Sequence, residues 1–304
     1  MPILYLSHTD CEKHVMQAGH PESPQRLRAI SAALSGEFWD TQLNRQNASE
    51  INDAYFHGIH PPQYLDRLAK LDPGEGVAHI DADTCINKYS LRAARLAAGA
   101  GLQAVQSVMS REYSSAFCAV RPPGHHAESA IGMGFCVFNS IALAAERALS
   151  LGAERVAILD FDVHHGNGTV EIFQNRPEVL VCSSFQYPFY PGRYDDVDKP
   201  NICLTPLPAG TSGSSFRQAI EADWLPALAN HRPDIILVSA GFDAHRDDPL
   251  AQLLLENKDY GWLGALLREQ ADKYCEGRMV SMLEGGYDIQ ALAHSVSEYL
   301  KGQI

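Results

Sequence analysis

The sequence lacks the features that define several classes of protein. Its seven cysteines are odd in number, irregularly spaced and without a CxxC pair, which argues against a disulfide framework. No stretch approaches the roughly 20 apolar residues of a membrane span, and residues 1–7 carry no basic flank or cleavage site. We therefore expect a cytoplasmic protein with no membrane partner.

A surplus of basic charge is also missing. The chain has 37 acidic residues against 24 lysines and arginines, which gives a net charge of −13. Binding to a phosphate backbone needs basic surface, so we expect no nucleic-acid partner. The acidic balance is compatible with cationic partners such as basic peptides or polyamines.

Three familiar catalytic signatures are absent as well. No GxSxG elbow, phosphate-binding P-loop or GxGxxG turn follows a predicted strand, so serine hydrolases, nucleotidases and dinucleotide enzymes rank low. The chain has no internal repeat, linker or low-complexity tract. With 304 residues, 45% of them apolar, we expect one domain that spans residues 1–304.

A regular alternation of strands and helices is present. Apolar runs predict strands at 3–6, 116–120, 156–159, 179–183, 202–204, 234–239 and 279–283. Helical patterns fall at 24–34, 61–70, 90–109, 140–149, 169–173, 214–229, 258–274 and 290–300, with a long loop at 72–83. The alternation predicts a single doubly wound α/β domain with a mostly parallel central sheet.

The stretch from 156 to 169 is the most informative, because an apolar strand ends there in acids and histidines. Asp160, Asp162 and His164 are two residues apart, so a continued extended backbone would point all three to one side. Two carboxylates and an imidazole on one face are costly unless positive charge lies between them. A divalent metal ion is the simplest candidate.

Other strand ends carry His125 and His126, Asp243, and Tyr287. Ligands bind beyond the carboxyl ends of such sheets, so these side chains are expected to converge. Asp162, His164 and Asp243 would make a three-ligand site with room for water and substrate, as catalytic zinc requires. Iron or cobalt would also fit. Taken singly, each aspartate is better interpreted as a helix cap or a turn residue.

The adjacent histidines His125 and His126 can serve as acid and base on a water molecule at the metal. Each needs a partner on its far ring nitrogen, and Asp160 and Asn167 are available, one charged and one neutral. That asymmetry would separate the basicities of the two imidazoles. His165 should face the opposite side of the chain and is predicted to be structural.

Three aromatic residues near these strand ends have two interpretations each. The hydroxyl of Tyr287 can donate a hydrogen bond to a substrate oxygen that gains negative charge, or it can belong to a surface tyrosine. Phe135 and Tyr190 lie in glycine- or proline-rich loops and either flank a narrow apolar channel or belong to the core. His20 and Arg26, taken by themselves, are typical surface residues.

Together the motifs resemble the histone deacetylase superfamily, in particular its class II and bacterial deacetylase-like members. The resemblance covers nearly the whole chain and rests on residues 20–26, 121–126, 134–139, 160–169, 239–250 and 284–287. It implies an arginase/deacetylase-type α/β fold. It also implies zinc-dependent hydrolysis of an N-acetyl amide, usually on a lysine side chain.

The resemblance also assigns roles by motif. Asp162, His164 and Asp243 correspond to the ligands of one zinc ion per chain. His125 corresponds to the histidine paired with a buried aspartate, here Asp160. His126 corresponds to the general base, with Asn167 in the orienting place, as suits a class II-like member. Tyr287 matches the tyrosine that polarises the acetyl carbonyl, which favours true deacetylase competence.

Substrate-binding positions follow from the same resemblance. Gly134, Phe135 and Tyr190 correspond to the walls of an acyl-lysine tunnel, although phenylalanine is more usual at the position of Tyr190. Leu250 falls at the rim, where a polyamine-preferring member has glutamate. Leucine there weakens a polyamine interpretation without removing it.

The family also implies a structural potassium ion. It would lie near Asp160 and be bound by the backbone carbonyls of Asp162 and His164 and by the side chain of Ser183. Arg26 would lie near an internal channel for acetate release.

The expected substrate is an acetylated lysine peptide or protein. An acetylpolyamine or another small acetylated amine is the nearest alternative. A ureohydrolase of the arginase type shares the fold but needs two manganese ions and more aspartates. A non-catalytic module that binds acyl-lysine is the alternative from another class. The oligomeric state is left open.

Overall fold

The computed structural model describes residues 1–304. Its strands are β1 (Ile3–Ser7), β2 (Leu43–Asn47), β3 (Ala78–His79), β4 (Cys85–Ile86), β5 (Ser115–Cys118), β6 (Val156–Asp160), β7 (Val179–Gln186), β8 (Ile202–Leu207), β9 (Ile235–Ala240) and β10 (Met279–Leu283). Eight of them form the central sheet in the order β2-β1-β5-β10-β9-β6-β7-β8. Every pair in that sheet is parallel, so the prediction of a mostly parallel sheet is confirmed.

The helices are α1 (Gln25–Ala33), α2 (Glu37–Gln42), α3 (Pro62–Leu71), α4 (Ser90–Met109), α5 (Ser140–Ser150), α6 (Asn167–Phe173), α7 (Gly213–His231), α8 (Asn257–Cys275) and α9 (Ile289–Gly302). Short 3-10 turns occupy Thr9–Lys13 and Asp53–Phe56. Helices α4 and α5 pack together, while α1, α9, α8 and α7 form a second connected group. The two groups cover the sheet, which gives the predicted doubly wound α/β domain.

One hydrophobic core joins these layers. It contains 80 buried residues drawn from the sheet and from both groups of helices. The central strands are buried along their whole length, as β6, β9 and β10 illustrate. Strands covered on both faces have apolar runs rather than alternation, which is why the sequence pattern identifies them. No helix combines the length and the apolar character that crossing a membrane requires.

Two parts of the sheet prediction were wrong. Helix α2 and strand β2 were not predicted. Strand β2 shows no apolar run, because it has one buried residue, Leu43, followed by four polar ones. It is an edge strand that pairs with β1 through backbone hydrogen bonds, and polar edge strands lack an apolar pattern. The predicted loop at 72–83 contains β3, which pairs antiparallel with β4.

The continued extended backbone expected after Asp160 was also wrong. Strand β6 ends at Asp160, and the segment that follows folds into turns. The Asp160 carboxylate accepts the N–H of Asp162 at 3.1 Å, and the Asp162 carboxylate accepts the N–H of His164 at 2.9 Å. Such local side-chain bonds compete with strand pairing. Asp160 is not among the three side chains whose donor atoms cluster together, which include Asp162 and His164.

Candidate active site

The polar strand ends meet at one edge of the sheet. Strands β5, β10, β9 and β6 are consecutive neighbours in the sheet, and all run in the same direction. Their carboxyl ends lead to His125 and His126, Tyr287, Asp243, and the segment from Asp160 to His164. The expected convergence at the carboxyl ends of the strands is therefore present.

Asp162, His164 and Asp243 form a buried cluster, in which one donor atom from each lies within 4.8 Å of the others. The Nδ1 atom of His164 is 3.1 Å from Asp162 Oδ1 and 3.1 Å from Asp243 Oδ2. One ring nitrogen carries at most one hydrogen, so it cannot donate a linear bond to both oxygens. The spacing is close to the edge of about 3.3 Å expected for a tetrahedral zinc site. The donor set therefore fits a divalent cation.

Backbone groups orient both carboxylates of the cluster. Asp243 Oδ1 accepts the N–H of Val163 at 2.9 Å, and Asp162 Oδ2 accepts the N–H of Gly285 at 2.8 Å. A Cβ atom at Gly285 would overlap both carboxylates, so only glycine allows this close approach of the backbone. Burial lowers the pKa of His164, but its bonds to Asp162 and Asp243 outweigh burial and raise the pKa to about 10. This negative field favours a cation among the three groups.

His125 pairs with the buried carboxylate of Asp160. The Nδ1 atom of His125 lies 2.9 Å from Asp160 Oδ2. Burial lowers the pKa of His125, but the carboxylates of Asp160, Asp162 and Glu284 outweigh burial and hold the pKa well above its usual range. Glu284 also accepts the backbone N–H groups of Gly124 and His125 at 2.7 and 3.2 Å, which fixes the loop. Its role was not predicted, although it lies in the strand-end segment 284–287.

His126 has a neutral partner instead. Its Nδ1 atom is 2.8 Å from the Oδ1 atom of Asn167, the first residue of α6. Burial, together with positive charge on His125 and His164, lowers the pKa of His126 well below its usual range. The two adjacent imidazoles therefore have opposite pKa shifts.

A narrow cavity of about 190 Å³ opens onto these groups. Its lining comprises Asp83, His126, Gly134, Phe135, His164, Phe189, Tyr190, Leu250 and Tyr287. All four expected substrate-binding residues, Gly134, Phe135, Tyr190 and Leu250, are among them. Phe189 stacks on His164 with ring centroids 5.4 Å apart, and the ring of Tyr190 stands edge-on to His126 at 5.3 Å.

Asp83 and Phe189 were not predicted as lining residues. Asp83 is the last residue of the long loop predicted at 72–83, and nothing in its local pattern marks it as a lining residue. Phe189 could have been found, because it precedes Tyr190 in the same aromatic loop.

Tyr287 lines the cavity and is held in place from two sides. Its backbone N–H donates to Asp248 Oδ2 at 2.7 Å. The guanidinium of Arg26 lies 5.1 Å from the centre of the tyrosine ring and donates from Nε to the carbonyl of Gly286 at 2.7 Å. Arg26 is completely buried, so its interpretation as a surface residue was wrong. His20 packs edge-on against Phe135 at 4.7 Å.

His165 points away from the cavity. Its Nδ1 atom is 2.9 Å from the hydroxyl of Ser183, and its Nε2 atom is 3.0 Å from the carbonyl of Tyr194. Burial lowers the pKa of His165 to about 4, so the ring is neutral at pH 7. A carbonyl only accepts, so Nε2 carries the hydrogen and Nδ1 accepts from Ser183. The lone pairs of the Ser183 hydroxyl are then free.

Comparison with known proteins agrees with this geometry. The histone deacetylase domain model matches residues 20–303. The chain is 42% identical over 296 residues to an uncharacterized protein of Synechocystis sp., with 95% of each chain covered. It is 37% identical to a histone deacetylase-like amidohydrolase of Pseudomonas aeruginosa, covering 89% of this chain and 73% of that protein.

A probable deacetylase of Archaeoglobus fulgidus is 35% identical, with 93% of this chain and 80% of that protein covered. Among solved structures, the HDA15 HD domain superposes with a TM-score of 0.92 at 32% sequence identity. That match covers 100% of this chain and 90% of the other.

Proposed function

The chain belongs to the histone deacetylase family, and we propose that it is a zinc-dependent amidohydrolase that removes acetyl groups from N-acetylated lysine side chains. Family membership makes it a hydrolase, consistent with deacetylase or amidohydrolase activity. One observation carries the finer proposal. One narrow cavity is lined by His164 of the three-ligand cluster, by His126 and by Tyr287, and the adjacent histidines His125 and His126 have different partners.

We propose that Asp162, His164 and Asp243 hold one zinc ion per chain. Two carboxylates offset the charge of a divalent ion, and three protein ligands leave room for water and substrate. When bound, the ion supplies Lewis-acid polarisation of the amide carbonyl and lowers the pKa of water. Only one cluster of this kind is present, which fits a single ion better than the two-manganese site of a ureohydrolase.

The surrounding side chains move the protons. Asn167 Oδ1 only accepts, so His126 carries its hydrogen on Nδ1, and Nε2 is free to accept the proton of the attacking water. The Tyr287 hydroxyl donates to the carbonyl oxygen as that oxygen gains negative charge. His125, kept protonated by Asp160, adds positive charge beside the reacting atoms. A histidine then protonates the leaving amine.

The cavity suits an extended aliphatic chain. Gly134, Phe135, Tyr190 and Leu250 all line it, and we assign the first three to its walls and Leu250 to its rim. A cavity this narrow favours a lysine side chain, which presents its acetyl group at the end of a slender stem. The partner is therefore an acetylated lysine peptide or protein, with small acetylated amines as the alternative.

We also propose a structural potassium ion beside Asp160. The hydroxyl of Ser183 has lone pairs to offer, because its hydrogen is donated to His165. The buried backbone carbonyls of Asp162 and His164 accept no hydrogen bond from the protein. Hard oxygen donors of this type suit an alkali cation.

Acetate release from an acetyl-lysine peptide and from acetylputrescine, measured after chelation and after zinc is restored, tests the proposal. Zinc-dependent turnover of the peptide is the expected result. A strong preference for acetylputrescine would instead assign the enzyme to small-molecule metabolism. Tight binding of the peptide without acetate release would indicate a binding module, and guanidine hydrolysis with two bound manganese ions a ureohydrolase.

A further inference from the structure

A buried carboxylate lies directly behind the proposed general base and has no part in the mechanism above. The side chain of Glu128 is 4% exposed. Its Oε1 atom accepts the Nδ2–H of Asn167 at 2.9 Å. Arg193 binds the same carboxylate as a fork, from Nε to Oε1 at 2.7 Å and from Nη2 to Oε2 at 2.8 Å. A chain of hydrogen bonds therefore runs from Arg193 through Glu128 and Asn167 to His126.

The carboxylate of Glu128, bound to Arg193, decides which way the amide of Asn167 faces. A carboxylate only accepts, so the NH₂ group of Asn167 must face Glu128, and Oδ1 must face His126. An amide oxygen also only accepts, so His126 has to carry its hydrogen on Nδ1. With a neutral group in place of Glu128, the only acceptor-only oxygen left to hold this amide orientation is the backbone carbonyl of His126, at the longer distance of 3.4 Å from Asn167 Nδ2. Both amide orientations, and with them both tautomers of His126, then become accessible.

Arg193 connects this arrangement to the wall of the cavity. It lies three residues after Tyr190, in the loop that also supplies Phe189. Its side chain is 44% exposed, so a buried carboxylate is paired with a cation that reaches in from the surface. The bidentate fork fixes the direction of the carboxylate, which a point charge such as lysine would not do.

We propose that Glu128 and Arg193 are positioning residues that fix the amide of Asn167 and thereby the Nδ1–H tautomer of His126. The proposal rests on the proposed function for its kinetic consequences, but not for its structural ones. It also gives a reason for asparagine at 167. An aspartate there would bring a second carboxylate to within about 3 Å of Glu128, where like charges repel.

Four variants test the proposal. Glu128→Gln is nearly isosteric and should lower kcat about 10-fold with little change in KM. Losing a hydrogen-bond partner that orients a catalytic residue commonly has an effect of this size. Asn167→Asp should be at least as impaired. The double variant Glu128→Gln/Asn167→Asp should recover most of the kcat lost by Asn167→Asp, because the glutamine amide can donate to the new carboxylate. The matched control is Glu171→Gln, on the same helix as Asn167. The Glu171 carboxylate accepts hydrogen bonds from the backbone N–H and the hydroxyl of Ser129 and lies outside this chain of bonds.

Histidine ring ¹⁵N spectra of the zinc-loaded protein supply a readout that does not need turnover. The wild type should show His126 protonated at Nδ1, and Glu128→Gln should show a mixture of tautomers, while Glu171→Gln matches the wild type. The His126→Gln variant assigns the signals. Melting temperatures establish that each variant is folded.

Two results would overturn the positioning role. One is a His126 ring spectrum unchanged in Glu128→Gln, whatever happens to kcat. The other is an Asn167→Asp variant that stays folded and fully active while Glu128 is intact. If the wild type hydrolyses no acetyl amide, the proposed function fails, yet the spectra still decide the positioning role.

Discussion

We expect stabilisation of the transition state to depend more on the hydroxyl of Tyr287 than on any other side-chain group. Replacing Tyr287 by phenylalanine keeps the ring that packs under Arg26 and against Phe135. It removes the hydroxyl that we propose donates to the developing negative charge. Loss of one such donor typically lowers kcat by about 100-fold or more. We therefore expect Tyr287→Phe to reduce kcat strongly while KM for an acetyl-lysine peptide changes little.

Steady-state kinetics on the zinc-loaded variant check this expectation. Tyr55→Phe is a suitable control, because Tyr55 is 42% exposed and takes no part in lining the cavity. Near-normal kcat in Tyr287→Phe would remove the tyrosine from the mechanism.

A site residue could be predicted from the sequence when a reactive side chain lay in the same segment as a predicted strand end. His125, His126 and Asp162 lie in the segments that follow β5 and β6, so their convergence follows from the parallel sheet. Glu128 and Arg193 lie in two irregular loops far apart in sequence. Nothing local indicates that a glutamate on one will meet an arginine on the other, so only the folded structure revealed the pair.

Among the elements, the turn from β10 to α9 is held from outside by Asp248. Its Oδ2 atom accepts the N–H groups of Tyr287 and Asp288 at 2.7 and 3.3 Å, and its Oδ1 atom accepts the N–H of Leu250 at 2.9 Å. Asp248→Ala removes all three bonds and should lower kcat by about 10-fold or more by displacing Tyr287. It should also raise KM, because Leu250 lines the cavity.

Kinetics of Asp248→Ala and Asp248→Asn side by side check this prediction. The asparagine keeps one acceptor oxygen and should retain more activity than the alanine. Equal activity of the alanine variant and the wild type would mean that the turn holds its shape without Asp248.

The start of α5 should be sensitive to acid through His60. The Nδ1 atom of His60 lies 2.9 Å from the carbonyl of Ser129, and its Nε2 atom accepts the N–H of Asn139, the N-cap of α5, at 2.9 Å. Burial lowers the pKa of His60 from 6.5 to about 4. The unfolded chain therefore binds more protons than the folded chain between these values, and stability falls as the pH falls from 6.5 towards 4.

The expected decrease in the free energy of unfolding due to His60 is about 3 kcal/mol over that pH interval, since one pKa unit corresponds to about 1.4 kcal/mol. His60→Gln cannot be protonated, so its free energy of unfolding should decline less on acidification than that of the wild type. Urea unfolding at several pH values between 7 and 4 measures the difference. Parallel curves for the two proteins would contradict it, and His57→Gln, at an exposed neighbour, supplies the control.

Strands and helices could be predicted where the burial of their side chains determined the apolar pattern of the sequence. Strands β6, β9 and β10 are apolar throughout because both faces are covered. Strand β2 was missed because its backbone pairs with β1 while most of its side chains remain in water. Helix α6 begins at Asn167, two residues before the predicted start. The bond from Asn167 to His126 therefore belongs to the first turn of a helix.

At the scale of the whole molecule, strand order makes the site possible. Strands β5 and β6 come early in the sequence, and β9 and β10, which come later, lie between them in the sheet. Four strand ends that are far apart in sequence thus become neighbours. Alternation of strands and helices predicted a parallel sheet and hence a shared edge, but not this order, which depends on how the later helices pack. The fold was therefore predictable to the level of its class and of the edge that binds ligand.

Zinc should stabilise the whole molecule, because the cluster joins the ends of β6 and β9. A ligand that binds only the folded chain stabilises it by about 2.7 kcal/mol at 100 times its dissociation constant. For a chain of this size that corresponds to a rise of several degrees in Tm. We expect chelation to lower Tm and abolish turnover, and zinc to restore both at a stoichiometry near one.

Substitutions in the cluster separate site-specific binding from general effects of zinc. Asp243→Asn should lose most of the zinc-dependent rise in Tm, because the site loses one of its two negative charges. Asp247→Asn, whose parent side chain is 65% exposed, should keep that rise. Calorimetry of the three proteins with and without zinc measures this. An equal rise in Asp243→Asn and the wild type would show that the ion binds elsewhere, and the assignment of Asp162, His164 and Asp243 as ligands would then fail.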